Sequence, residues 1–229
     1  MGAFSQKLPD LGRDPSREYR LGIMGGTFDP IHYGHLVTAE QAREALNLDV
    51  VLFMPAGEPA FKLDKHVTDA ESRYAMTVLA TAANPSFLAS RFEIDRDGVT
   101  YTADTLRALR AHYPDNVKLY FITGADAILD IVTWHDADQI ANLATLIAAT
   151  RPGYEIDQAR KRIECSGYEF DVRYIQIPAL AISSTNVRER VSEGKSVRYL
   201  TSESVIGFIR KNGLYRTETE PEGEDSSLG

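Results

Sequence analysis

The chain has 229 residues, 43% of them hydrophobic, with a formal net charge of −8 and one cysteine, Cys165. At roughly 150 residues per domain this is one or two domains with a sizeable core, and the acidic balance argues against nucleic acid as a partner, since holding a phosphate backbone calls for basic surface. No stretch approaches the roughly 20 apolar residues of a membrane span, so no membrane partner is expected, and a lone cysteine that cannot form an intrachain disulfide suits a reducing, cytoplasmic setting.

The first 19 residues mix Lys7, Asp10, Arg13, Asp14, Arg17 and Glu18 without an apolar core. They read as a disordered arm and not as a secretory signal. An apolar strand follows at 21–24, and then the most telling segment, Gly25-Gly26-Thr27-Phe28-Asp29-Pro30-Ile31-His32-Tyr33-Gly34-His35. A strand, a glycine turn and a helix start with two histidines make a place to hold an anion. Glycine permits close backbone approach, and helix N-terminal N–H groups favour phosphate. His32 and His35, three apart, share one side of the first helical turn.

Further along, strand-length apolar runs at 50–54, 119–123, 146–149 and 172–177 alternate with helical spacing at 36–46, 70–83, 105–112, 137–143 and 157–165. That alternation predicts an α/β fold, a Rossmann-like doubly wound parallel sheet covered on both faces. Its ligand belongs outside the carboxyl ends of the strands, where the histidine turn, Pro55 to Lys62 and Gly124-Ala125-Asp126 all fall. Helical patterns at 186–193 and 206–211, closed by Gly194 and Asn212-Gly213, form a C-terminal helical extension. The expected organisation is an arm at 1–19, one domain at 20–216 and a disordered acidic tail at 217–229.

The glycine turn lacks the Gly-x-Gly-x-x-Gly of dinucleotide folds and the Gly-Lys-Ser/Thr of the P-loop. It resembles the signature of the nucleotidyltransferase superfamily with a His-x-Gly-His motif, and the full run is similar to that of the bacterial nicotinate-mononucleotide adenylyltransferases. Ile182-Ser183-Ser184-Thr185-Asn186-Val187-Arg188, which by itself reads as a capped helix start, resembles that family's Ile-Ser-Ser-Thr-x-x-Arg motif. The likeness covers about 20–216.

The resemblance implies adenylyl transfer from ATP to nicotinate mononucleotide, with Mg²⁺ bound to the ATP phosphates and no metal site of the protein's own. His32, His35 and Arg188 are then the catalytic candidates. Gly25, Gly26, Thr27, Phe28, Gly124, Asp126, Arg151, Ser183, Ser184 and Thr185 are candidates for the ATP side. Lys62, Tyr101, Thr102 and Trp134 are candidates for the acceptor side, the lone tryptophan as a platform for the pyridine ring. Phe61 stands where many relatives place a histidine. Zinc ligation is disfavoured, because His66, His112 and His135 lack metal-ligand spacing. Two other readings remain at this point: transfer to nicotinamide mononucleotide or another phosphate acceptor, and a non-catalytic nucleotide sensor on the same fold. Nothing in the sequence fixes an oligomeric state.

Overall fold

The structure, a computed structural model, describes residues 8–59, 67–151 and 156–216. Lys62, Phe61, His66 and the acidic tail lie outside the described residues. The strands are β1 (Tyr19–Gly26), β2 (Val50–Pro55), β3 (Glu58–Pro59), β4 (Phe87–Ala89), β5 (Val99–Thr100), β6 (Val117–Gly124), β7 (Thr145–Thr150) and β8 (Val172–Gln176). Six of them form one parallel sheet in the order β4-β2-β1-β6-β7-β8, while β3 and β5 pair separately. The helices are α1 (Tyr33–Leu46), α2 (Ala70–Thr81), α3 (Thr102–His112), α4 (Ala125–Asp130), α5 (Ala137–Leu143), α6 (Ile156–Ser166), α7 (Ser184–Ser192) and α8 (Glu203–Lys211).

Strand side chains alternate between faces, so a sheet buried on both sides needs apolar residues at every position. That is what these strands carry. Leu21, Ile23, Leu52, Met54, Leu119 and Phe121 face one core with Leu106 and Leu109 of α3, Ile140 of α5 and Ile163 of α6. Met24, Val51, Phe53, Ile122 and Ile147 face the other, with Ala39 and Ala42 of α1, Met76 of α2 and Val205 and Ile209 of α8. The doubly wound sheet is as predicted. The helical extension is part of the second core: α8 buries its apolar stripe there, and Val187, Val197 and Ile206 form a small third cluster beside it.

The arm needs correction. Leu8 and Leu11 pack on the first core, the Tyr113 hydroxyl donates to Pro9 O at 2.9 Å, and Asn116 Nδ2 donates to Asp14 O and Arg17 O at 2.9 and 3.0 Å. Residues 8–18 are therefore docked. Two leucines among charges give too little periodicity to announce this, yet each gains burial when a groove is waiting for it. Strand β4 and helix α4, also unanticipated, are too short to carry a period.

Strand order reverses between β2 and β6 on either side of β1. Chains leaving the carboxyl ends of β1 and β6 turn to opposite faces, which leaves a crevice between them. Gly26, Gly124 and Thr150 end their strands on that edge.

Candidate active site

The turn between β1 and α1 occupies the crevice. Phe28 holds a left-handed φ of 50°, strained for a residue with a side chain, and its ring is only 2% exposed. It packs edge-on against His35 with centroids 5.0 Å apart. The Phe28 side chain is therefore core, and it supports a histidine.

His32 caps α1 with extended backbone, and its N–H donates to His35 Nδ1 at 3.2 Å. With Nδ1 accepting, neutral His35 must carry its proton on Nε2. The two imidazoles stack at 3.7 Å and 22°. His32 is buried, its Nδ1 has no hydrogen-bond partner among the described residues, and desolvation pushes its pKa down to about 4, so the ring is neutral at pH 7. The glycine between them has a steric cause: a Cβ on Gly34 would lie 2.9 Å from Nδ1 and Cε1 of His32.

The carbonyls of this turn are held from afar. Arg73 Nη1 donates to Thr27 O at 2.9 Å, Arg188 Nη1 to Asp29 O at 2.7 Å, Ser184 Oγ to Pro30 O at 2.9 Å and Thr201 Oγ1 to Ile31 O at 2.8 Å. Tyr33 N–H adds a bond to Leu200 O at 3.0 Å. The start of α7 is thus bonded directly to the histidine turn, with Ser183 Oγ capping the helix at Asn186 N. Neither Arg73 nor Thr201 was identifiable from the sequence, because each acts on main-chain oxygen, which every residue type offers.

A cleft of about 530 Å³ opens beside the turn. His32, His35, Gly124, Asp126, Arg151, Ser183 and Ser184 line it. Seven candidate residues from four separate segments therefore meet in one cleft. Gly25, Gly26, Thr27, Phe28, Thr185 and Arg188 do not form its wall; Arg188 instead spans Asp29 O and Thr185 Oγ1, the latter at 3.3 Å.

The described acceptor-side candidates, Tyr101, Thr102 and Trp134, lie apart from that wall. Trp134, half-buried, meets Phe121 edge-on at 6.1 Å, and Thr102 opens α3. Tyr101 lies against His135, centroids 4.4 Å apart, a partner the sequence gave no reason to single out. Ligand atoms of Asp104, His135 and Asp136 come within 4.8 Å of one another. Arg107, however, pairs with Asp104 at 2.6 Å and Asp136 at 2.9 Å, so a guanidinium already stands where a cation would.

A glycine–histidine turn and a serine-capped helix thus converge at the switch point of a parallel sheet. Residues 23–190 match the cytidylyltransferase-like family, and the chain belongs to that family. Within it, the chain is 51% identical over 207 residues to the probable nicotinate-nucleotide adenylyltransferase of Thermoanaerobacter sp. strain X514, covering 89% of this chain and 98% of that one. It is 50% identical over 212 residues to the probable nicotinate-nucleotide adenylyltransferase of Corynebacterium glutamicum, covering 93% and 94%. Among solved structures, the Plasmodium falciparum nicotinic acid mononucleotide adenylyltransferase complexed with NaAD shares the fold at a TM-score of 0.71 and 21% identity, over 86% of this chain and 98% of that one.

Proposed function

We propose that the protein transfers the adenylyl group of ATP to nicotinate mononucleotide, forming nicotinate adenine dinucleotide and pyrophosphate. The observation that carries this is the direct bonding of the Ser184–Arg188 segment to the turn that presents His32 and His35, beside one cleft at the sheet's switch point. About half the residues are identical to relatives that bear the name of this activity, over nearly the whole of both chains.

In the reaction a phosphate oxygen of the mononucleotide attacks the α-phosphorus of ATP. The new P–O bond forms as the bond to the β-phosphate oxygen breaks, and pyrophosphate leaves with the electron pair. A phosphate monoester has its second pKa at about 6 and is already a dianion near neutrality, so no general base is needed. The demand is alignment, and fixed donors where charge accumulates. His35 Nε2–H is one such donor. Ser184 has committed its proton to Pro30 O, so its part is to hold the turn; Ser183 and Arg151 stand on the cleft wall and complete the phosphate side. Arg188 contributes by fixing the carbonyl of Asp29 and by its positive charge.

Asp126 is the one carboxylate on the wall among the described residues. Mg²⁺ is usually held by one or two carboxylates and substrate phosphates, so this donor set fits a hydrated ion arriving with ATP, with Asp126 as its protein partner. An ion held there would supply charge neutralisation for the transferring and leaving phosphates. Tyr101, Thr102 and Trp134 are read as the acceptor's pyridine side, and the reduced Cys165 fits a cytoplasmic setting.

Pyrophosphate release from ATP and Mg²⁺ tests the reading, with nicotinate mononucleotide, nicotinamide mononucleotide or phosphopantetheine as acceptor. The acid mononucleotide should be fastest. Equal or faster turnover of the amide would overturn the acceptor assignment, and no release with any acceptor would overturn the enzyme.

A further inference from the structure

We infer that Arg73 is a positioning residue whose guanidinium ties the histidine turn to both Gly57 and Thr68, and so sets where that turn stands relative to β3, which pairs with β5 directly before Tyr101 and Thr102. This deepens the adenylyl-transfer reading and rests on it.

Arg73 lies in the first turn of α2 and is 1% exposed. Its three donors reach three separate segments: Nη1 to Thr27 O at 2.9 Å, Nη2 to Gly57 O at 3.0 Å and Nε to Thr68 O at 2.8 Å. Thr27 belongs to the phosphate-binding turn. Gly57 and Thr68 bracket the stretch that leaves β2 and leads into α2. Gly57 is fixed from its other side too, since a Cβ there would come within 2.5 Å of Glu93 O. All three acceptors are main-chain carbonyls, so none cancels the charge.

Burying a cation against neutral oxygens is costly. Burial does draw the Arg73 proton affinity down, and the negative charge opposing this comes first from Asp29, then from Asp69. Asp29 is itself 3% exposed. Its Oδ1 accepts from the Tyr215 hydroxyl at 2.7 Å and its Oδ2 from Thr68 N–H at 3.3 Å. The closing segment of the chain thereby joins the same knot, and the Asp29 carbonyl carries it on to Arg188. An apolar side chain would fill this space at lower cost; only a planar fork with several fixed donors can span three carbonyls at once. The function that such a fork serves is geometry between two reacting groups, where a displacement of 1 Å costs about 100-fold in rate.

The test compares Arg73→Lys, which keeps the charge but not the fork, with Met76→Ala, a buried change on the same helix whose side chain donates to none of the three carbonyls. Both are assayed well below their melting temperatures. Arg73→Lys should lower kcat at least about tenfold with KM for ATP little changed, while Met76→Ala loses stability and keeps kcat. Hydrogen exchange of the free protein should rise in Arg73→Lys at 27–29, 57, 58 and 68, and not in β6 or β7. Wild-type kcat in folded Arg73→Lys, or a kcat loss equal to that of Met76→Ala at matched stability, overturns the inference. Should Arg73→Lys not fold, Tyr215→Phe decides: it must give a smaller kcat loss and faster exchange at 29 and 68, and neither change means the inference is wrong. If the wild type makes no dinucleotide, the functional reading falls by that result, and the exchange pattern still decides whether Arg73 ties the three segments.

Discussion

The proposed nucleotide side and the proposed acceptor side of the site are built on opposite plans. On the nucleotide side, four carbonyls between Thr27 and Ile31 are each bonded by a side chain from α2, α7 or Thr201. On the acceptor side, Trp134 and Tyr101 are held by ring contacts with Phe121 and His135, and the nearby ion pairs of Arg107 are partly exposed. Phosphoryl transfer penalises any drift of donors that must meet developing charge, so main chain is locked in place. A flat ring needs only a complementary face, which a side chain supplies with less support.

The contrast breaks most visibly at Gly34. Gly34→Ala places a methyl group where the His32 ring stands, 2.9 Å from two of its atoms, and should lower kcat by about as much as His32→Ala, on the order of 10- to 100-fold. Steady-state rates with the acid mononucleotide measure it; a nearly normal Gly34→Ala enzyme would mean that the turn is softer than its bonding implies. Trp134→Ala should act differently, raising KM for the acceptor about tenfold by loss of a stacking face while ATP binding persists. If ATP affinity falls instead, the ring belongs to the other side.

A smaller effect separates the two sides by pH. Burial pushes the Glu93 carboxyl, which accepts from Thr105 Oγ1 at 2.7 Å, up to about 7 from an ordinary 4.5. The native state then keeps a proton the unfolded chain has lost, so this contribution to stability is full below pH 4.5 and gone once pH passes about 7. His32 works the other way. Lowered from 6.5 to about 4, it stays neutral where the unfolded chain is protonated, so its contribution is full above pH 6.5 and lost as pH falls through 4. The two oppose each other where their windows overlap. Glu93→Gln should unmask His32, and melting temperature should then climb with pH across the window from about 4 to 6.5. A melting profile parallel to that of the wild type would show that Glu93 is not the opposing group.

Much of this site is written in contiguous residues. Gly34 separates the histidines for a reason of space, and Ser183 before α7 reads as the cap it is. The acceptor side was less legible, since nothing in the spacing pairs Tyr101 with His135, and the Phe28 ring, in the midst of the motif, turned out to be core.

By itself the sequence determined the parallel sheet, its two cores and the glycine–histidine turn at its edge, because short, continuously apolar strands alternating with helical spacing have few other uses. It also placed the Ser183–Arg188 segment with that turn. Only the tertiary structure decided that Arg188 and Ser184 bond to the turn's own carbonyls, that Arg73 joins Thr27, Gly57 and Thr68, and that Leu8 and Leu11 dock the arm. The reason is chemical. A side chain that binds main-chain oxygen needs no matching residue type at the other end, so distance in the folded chain is the one thing that reveals the pair.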